Sequence, residues 1–75
     1  MYTVQALNVP AGARVDFYAD GVFHSTENTT PFCLFSDNGT DCFGDTLGAG
    51  SHFVSAKAVD KATGVMVDQA EIQIP

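Results

Sequence analysis

Basic residues are scarce in this sequence. Three lysines and arginines stand against nine aspartates and glutamates, which gives a net charge of −6 at pH 7. Nucleic acids are bound largely through neutralisation of phosphates by Lys and Arg, and anionic membrane surfaces attract basic segments for the same reason. The composition therefore argues against both kinds of partner. It suits solubility, or the binding of cations by carboxylates.

Long hydrophobic runs are lacking as well. No stretch approaches the roughly 20 apolar residues of a transmembrane helix, so we expect no membrane insertion. No segment has the charged and apolar regions of a signal peptide. Met1 leads directly into strand-like sequence. We therefore expect an excised domain whose secretion signal or anchor lies outside this chain.

Cysteine is limited to two residues, Cys33 and Cys42. An even count in a small domain favours a disulfide and an oxidising compartment, which means an extracellular or cell-surface location. Two free thiols, each buried as a small hydrophobic side chain, are the alternative. In the chain-entropy model, a disulfide that closes a loop of about ten residues contributes somewhat under 3 kcal/mol.

The 75 residues are enough for one domain, which we take as residues 1–75. A chain this short buries only about 60% of its unfolded surface, so its core needs support from a disulfide, a metal or a neighbouring chain. No segment has helical periodicity with caps. Short β-rich runs are separated by Gly, Pro, Asn and Asp, which is typical of an all-β sandwich.

The pattern of these runs predicts about six strands and their facing. The strands are expected at residues 2–9, 13–20, 22–27, 32–36, 51–59 and 65–74. The dipeptide Asp20-Gly21 predicts a hairpin between the second and third strands, and residues 37–50 are expected to form a long irregular loop. Alternation along the strands predicts a core made of Val4, Val15, Phe17, Val54, Ala56, Ala58 and Ile72.

Several segments resemble a bacterial immunoglobulin-like domain, a family that recurs in tandem in secreted and surface proteins. The matching pieces are VDFYADG at 15–21, TPF at 30–32, LGAGSH at 47–52 and VSAKAVD at 54–60. The resemblance covers about residues 13–75 and implies an immunoglobulin-like antiparallel β-sandwich with a spacer, adhesion or carbohydrate-associated role. That family usually opens with a further strand. We therefore expect the N-terminal strand to be absent and one sheet edge to be unpaired.

Hydroxyl and imidazole groups are adjacent twice, at His24-Ser25 and at Ser51-His52. Neighbouring residues on a strand point to opposite faces, so neither pair predicts a nucleophile and a base at one site. We expect no enzyme activity. The His52 of the resembling motif is expected to anchor its loop by hydrogen bonds to the backbone.

Carboxylates are concentrated in the loop that follows the fourth strand. Asp37, Asp41 and Asp45 are candidate calcium ligands, because calcium takes its oxygens largely from loops of this composition. A plain turn closed by the disulfide is the alternative, since Asp and Asn also bond their own backbone. Asn28 and Asn38 each begin an N-x-S/T sequence and are candidate glycosylation sites in a host that has the machinery.

Three functional hypotheses follow from these observations. The first is a non-catalytic structural or adhesion module of an extracellular or cell-surface protein. The second is a subunit of a polymeric extracellular filament, in which a neighbouring domain or a second copy adds a strand to a sheet edge. The third is a carbohydrate-binding module, with or without calcium. An aromatic side chain exposed beside the loop at 37–45 would favour the third.

Overall fold

The structure, a computed structural model that describes all residues from Met1 to Pro75, contains strands and turns and no helix. Its strands are β1 (Gln5–Ala6), β2 (Ala13–Ala19), β3 (Val22–Glu27), β4 (Phe32–Cys33), β5 (His52–Asp60) and β6 (Met66–Ile74). The predicted all-β class with six strands is confirmed. No helix long and apolar enough to cross a membrane is present.

The strands form two antiparallel sheets. The large sheet has the order β3-β2-β5-β6, and the small sheet consists of β1 and β4. In the large sheet β2 and β5 are central, whereas β3 and β6 are the edges. The chain contributes β1 to the small sheet before β2, and β4 to it between β3 and β5. It therefore passes from one sheet to the other three times.

The hairpin between β2 and β3 turns at Asp20 and Gly21, as the sequence predicts. Their φ angles are 51° and 80°, and a type I′ turn requires positive φ at both central residues. Glycine adopts this conformation because it has no Cβ, and aspartate is among the few other residues that tolerate it. The dipeptide therefore sets where β2 ends and β3 begins.

The two strands of the small sheet are shorter than predicted. Each has two residues, where the sequence pattern extends over 2–9 and 32–36. The φ angle of Asn8 is 57° and that of Ser36 is 72°. A strand cannot continue through such left-handed conformations, so both strands end early. The small sheet consequently covers only part of the large one.

Most of the predicted core is confirmed. The buried cluster at the centre of the domain contains Val4, Val15, Phe17, Phe32, Leu34, Val54 and Ile74. Ala58 is also buried, and Ala56 packs against the cluster. Phe32 and Leu34 were not predicted as core residues. Their side chains point from β4, and from the residue just after it, towards the large sheet.

The assignment of Ile72 to the core is wrong. Its side chain is 48% exposed, although it lies opposite Val54, which is only 2% exposed. The facing is as predicted, because directly paired residues in an antiparallel sheet share a face. The burial is not, because no strand of the small sheet lies over this part of β6. Ile74, which lies two residues further along β6, is buried instead.

The predicted disulfide between Cys33 and Cys42 is present. It joins the buried end of β4 to the irregular loop, whose two sides also meet in a bridge between Asp37 and Cys42. Cys33 is 1% exposed and belongs to the largest fully buried side chains. The disulfide thus connects a solvent-exposed loop directly to the core.

Candidate functional site

A groove runs along the inner face of β6. It is bounded by residues 4–10 on one side and by β6 on the other, and its floor is formed by β2 and β5. It consists of two depressions of about 160 and about 60 Å³, which share Ala6, Leu7, Ala56 and Ala70 as lining residues. We call this feature the β6 groove. Its existence follows directly from the shortness of the small sheet.

The wall that β6 contributes is open to solvent. Every residue of β6 from Met66 to Gln73 is exposed, and only Ile74 is buried. Across the groove, Leu7 is 71% exposed. An isolated exposed leucine or isoleucine is ordinary on a protein surface, but apolar side chains that face one another across an apolar floor are typical of a binding surface.

The other wall has an unpaired backbone edge. The N–H of Leu34 donates to the carbonyl of Val4 at 3.0 Å, so the backbone groups of Val4 face β4. Successive residues of a strand direct these groups to alternate sides. The N–H and C=O groups of Gln5 and Leu7 therefore face the groove. β1 pairs with no strand other than β4, and Leu7 makes no backbone hydrogen bond.

The groove carries one charged side chain, that of Asp68, at its shallow end. The Asp68 carboxylate accepts a hydrogen bond from the Gln69 N–H at 2.8 Å and has no salt bridge. All cationic side chains of the chain contact other groups. Arg14 bonds Asp16 at 3.1 Å, Lys57 lies 4.5 Å from the ring centre of Tyr18, and Lys61 donates to the carbonyl of Asn28.

A second polar contact lies at the far end of the domain, between the β2–β3 turn and the start of β5. The Nδ1 atom of His52 is 2.6 Å from a carboxylate oxygen of Asp20, and the other oxygen of Asp20 accepts the Phe53 N–H at 3.0 Å. The side-chain hydrogen bond raises the pKa of His52 and lowers the pKa of Asp20. The backbone of Gly48 and Ala49 raises the pKa of His52 further.

This contact fastens the β2–β3 turn to the start of β5. His52 was expected to bond backbone groups, and its strongest partner is a carboxylate instead. The other ring nitrogen, Nε2, is buried without a hydrogen-bond partner. No signal in the sequence pairs Asp20 with His52, because 32 residues separate them.

The other histidine and its neighbouring serine are in contact, against expectation. The Nδ1 atom of His24 lies 3.0 Å from the Ser25 hydroxyl oxygen. A β-bulge explains this contact: Phe17 pairs with Ser25 and Tyr18 pairs with Phe23, which leaves His24 as an extra residue that breaks the alternation. No hydrogen bond joins His24 to a carboxylate, so the pair lacks the orienting group of a triad.

A polar cleft of about 520 Å³ lies between β3 and the segments 33–36 and 45–47. Its lining includes Glu27, and the ring of Phe35 meets the ring of His24 edge to face at 5.8 Å. Burial, and after it the charge of Asp37, raises the pKa of Glu27, while a hydrogen bond from the Cys33 backbone opposes the shift. The cleft thus combines an aromatic ring with carboxylate and hydroxyl groups.

The structure does not bring the candidate calcium ligands together. Asp37 accepts the Gly39 N–H at 2.7 Å, and Asp45 accepts the Thr46 N–H at 2.7 Å. Asp41 lies between them on the exposed tip of the loop. No group of three or more acidic, histidine or cysteine side chains is arranged to hold a metal ion. Calcium binding in this loop remains a prediction.

The two candidate glycosylation sites, Asn28 and Asn38, are both exposed. The side-chain oxygen of Asn38 accepts the backbone N–H groups of Thr40 and Asp41, at 3.0 and 2.8 Å, and so shapes the tip of the loop. Asn28 lies in the turn after β3 and bonds Lys61 only through its backbone carbonyl. Glycosylation at either residue remains a prediction.

The exposed aromatic residues do not form one platform. Phe43, which follows Cys42, is 49% exposed, and Phe23 is 56% exposed. The ring of Phe23 packs against Tyr18 on the outer face of the large sheet, with ring centres 5.7 Å apart. The rings of Phe43 and Phe23 are therefore both accessible to solvent.

The chain matches no family model, and comparisons with curated proteins and with solved structures also find no match. The functional interpretation consequently depends on the residues and contacts of this chain. Among them the β6 groove is the feature that sequence reasoning located least well. No local signal indicates it, because its two walls come from residues 4–10 and from β6, which are far apart along the chain.

Proposed function

We propose that this chain is a non-catalytic structural module of an extracellular or cell-surface protein, and that it joins a neighbouring chain by accepting an extended segment of that chain in the β6 groove. The segment pairs with the free edge of β1 and becomes the third strand of the small sheet. The contact is a β-strand addition, in which backbone hydrogen bonds supply affinity and alternate side chains supply specificity.

The single observation that carries this proposal is the coincidence of an apolar depression with an unpaired backbone edge. Apolar surface in the groove favours burial, at about 25 cal/mol for each Å² removed from water. The backbone groups of Gln5 and Leu7 lie at the rim of the same depression. An extended peptide satisfies both requirements at once, whereas a small apolar ligand would leave the backbone groups without partners.

The order of strands supports an immunoglobulin-like assignment within the two-sheet architecture. In such domains, strands A, B, E and D form one sheet, and G, F, C and C′ form the other. The large sheet here has the order β6-β5-β2-β3, and the small sheet pairs β1 with β4. We assign these strands to G-F-C-C′ and to B-E. On this assignment the β6 groove lies where strand A would pair with strand B.

The disulfide supports an extracellular location. Disulfides persist in oxidising compartments and are rare in reducing ones. The bond between Cys33 and Cys42 anchors a loop to the core of a domain that buries only 11 of its 75 residues. A core this small has little other means of support.

The test is the binding of a blocked synthetic peptide, Thr-Val-Thr-Val-Thr-Val-Thr, titrated to millimolar concentration and followed by NMR. We expect slower exchange of the Leu7 amide, because its N–H becomes bonded to the peptide. The same peptide with proline at its centre is the control, because proline cannot donate the central hydrogen bond. Absence of protection at Leu7, or protection confined to Glu71 on the free edge of β6, would overturn the proposed site.

A matched pair of variants separates the groove from non-specific binding. Ala56→Leu places a larger side chain on the floor of the groove, and we expect it to abolish the protection of Leu7. Ala62→Leu makes the same change in an exposed turn, and we expect it to leave peptide binding unaltered. Equal effects of the two substitutions would contradict binding in the groove.

A second candidate function, glycan binding, is favoured by the exposure of Phe43 in the loop at 37–45. Aromatic rings supply flat apolar surface, and the neighbouring polar cleft offers Glu27 and Ser36 as hydrogen-bonding groups. The test is a titration with neutral oligosaccharides, observed through the ring signals of Phe43 and Phe35. Binding that is lost in Phe43→Ala, with an unchanged melting temperature, would establish it. No response of either ring at millimolar sugar would exclude it.

A further inference from the structure

We infer that the segment received by the β6 groove has a defined side-chain pattern: a large apolar residue at its centre and, two residues before it, a lysine or arginine. This inference rests on the proposed function and specifies its partner. The central residue occupies the space between Ala6 and Ala70, and the basic residue lies beside Asp68.

Short side chains surround the deeper part of the groove. Ala6, Ala56 and Ala70 line it together with the ring of Phe17, and the depression has a volume of about 160 Å³. The groove is open to solvent, so its apolar lining is in contact with water, and covering that surface stabilises by about 25 cal/mol for each Å². A leucine or phenylalanine from the partner would cover much of this surface, whereas an alanine would leave most of it exposed.

The spacing of the pattern follows from strand geometry. Ala70 and Asp68 are successive residues on the inner face of β6, because their partners Ala56 and Ala58 face the core. Residues two apart on a strand are about 6.8 Å apart, and an added strand has the same interval. A side chain beside Asp68 is therefore two residues from the one beside Ala70.

The direction of the segment is set by β1. The groove runs from Val4 beside Ile72 to Pro10 beside Asp68. Every strand pair in this domain is antiparallel. A segment antiparallel to β1 enters at the Asp68 end and leaves at the Ile72 end, so its basic residue precedes its large apolar residue.

Charge identifies the partner as basic and argues against a second copy of this chain. Asp68 has no cationic neighbour, while Arg14, Lys57 and Lys61 contact other groups. A second copy would bring another net charge of −6, which opposes association. A lysine or arginine in the incoming segment would pair with this carboxylate, and complementary charges at an interface determine specificity more than raw affinity.

The experiment compares three blocked peptides by isothermal titration at low ionic strength: Thr-Lys-Thr-Leu-Thr-Val-Thr, the same peptide with Glu in place of Lys, and the same peptide with Ala in place of Leu. We expect each substituted peptide to bind about tenfold more weakly than the first. The difference between the Lys and Glu peptides should shrink at high salt, because exposed charges are screened.

Reversal of a charge on the protein is the decisive part of the experiment. Asp68→Lys should reverse the preference, so that the Glu peptide binds more tightly than the Lys peptide. Glu71→Lys, which makes the same change on the outer face of β6, should leave the original preference intact. Asp68→Asn, which should remove the preference without reversing it, provides the same test if Asp68→Lys fails to fold.

The outcomes separate this inference from the proposed function. Equal affinity for the Lys and Glu peptides, with protection of Leu7, would overturn the pattern and leave strand addition in place. A reversed preference in both Asp68→Lys and Glu71→Lys would also overturn it, because the charge would then act at long range. Failure of every peptide to bind the unmodified chain would overturn both proposals.

Discussion

Strands β5 and β6 are neighbours in the same sheet and have nine residues each, yet their environments are opposite. No residue of β5 is exposed, whereas all but the last residue of β6 are. The contrast is sharpest at one directly paired position, where Val54 is 2% exposed and Ile72 is 48% exposed. Both side chains point to the same face of the sheet.

This difference shows that facing and burial are separate properties. Alternation along a strand determines which face a side chain occupies. Burial requires, in addition, a second layer over that face. The small sheet covers β5 and stops before β6, so identical facing yields a core residue on one strand and a groove wall on the next.

Phe17→Ala has the largest expected effect, because Phe17 is fully buried beneath the small sheet. Loss of a buried phenylalanine costs about 3–5 kcal/mol, which is comparable to the whole stability of a domain of this size. Ile72→Ala should cost about 1 kcal/mol or less, because its site is already open. Chemical denaturation measures both, and similar losses for the two variants would contradict the exposure of β6.

Opening the disulfide should have the next largest effect. The bond closes a loop with a sequence separation of nine residues, and such a loop contributes about 2–3 kcal/mol. We expect reduced protein to melt at a distinctly lower temperature, while intact mass without reductant shows the loss of two hydrogens. If reduction leaves the melting temperature unaltered, the disulfide does not stabilise the domain.

Filling the β6 groove should stabilise the isolated domain. Ala56→Leu buries additional methylene groups against Phe17 and should raise the free energy of unfolding by about 1 kcal/mol. Ala13→Leu is the counterpart outside the groove, at a residue that is only 4% exposed. Overpacking there should destabilise by about 1–3 kcal/mol. A loss of stability in both variants would mean that the groove is closed in solution.

The contact between Asp20 and His52 should make stability depend on pH. The pKa of His52 is raised above its usual 6.5, so its contribution is complete below pH 6.5 and is lost as pH rises through the folded pKa. The pKa of Asp20 is lowered below 3.8, so its contribution is complete above pH 3.8 and is lost as pH falls through the folded value. The contact therefore stabilises most fully between these two values.

Substitution of the aspartate tests this dependence. Asp20→Asn keeps an oxygen for the Phe53 N–H and a residue that tolerates positive φ, and it removes the charge together with the carboxylate oxygen that faces His52. We expect the melting temperature of the parent to fall by a few degrees between pH 6 and pH 8, and that of Asp20→Asn to fall less. Parallel curves for the two proteins would show that another group governs the dependence.

Calcium should have the smallest effect. The carboxylates of Asp37 and Asp45 bond the backbone of their own loop, so we expect millimolar calcium to leave the melting temperature unchanged. Binding to the folded state alone would raise it. A rise with calcium that disappears in Asp41→Ala would establish the site that the loop composition suggests.

The candidate site could be predicted from the sequence only in part. The motif that resembles the immunoglobulin-like family led to the expectation of an unpaired sheet edge, and the free edge of β1 lies at the groove. Its apolar lining could not be foreseen, because Leu7 follows β1 of the small sheet and Ala70 lies in β6 of the large sheet. The contact between His24 and Ser25 was missed for a related reason, since a β-bulge reverses the alternation that sequence reasoning assumes.

By itself the sequence determined the all-β class, the hairpin at Asp20-Gly21, the inner facing of Val15 and Phe17, and the pairing of the two cysteines. These features depend on backbone preference, strand periodicity and chain proximity, which act over a few residues. Only the tertiary structure decided that Ile72 is exposed, that Asp20 meets His52, and that Asp68 lies uncompensated at the end of a groove. Each of these depends on which segments lie over one another, and short strands of two residues carry too little pattern to reveal that.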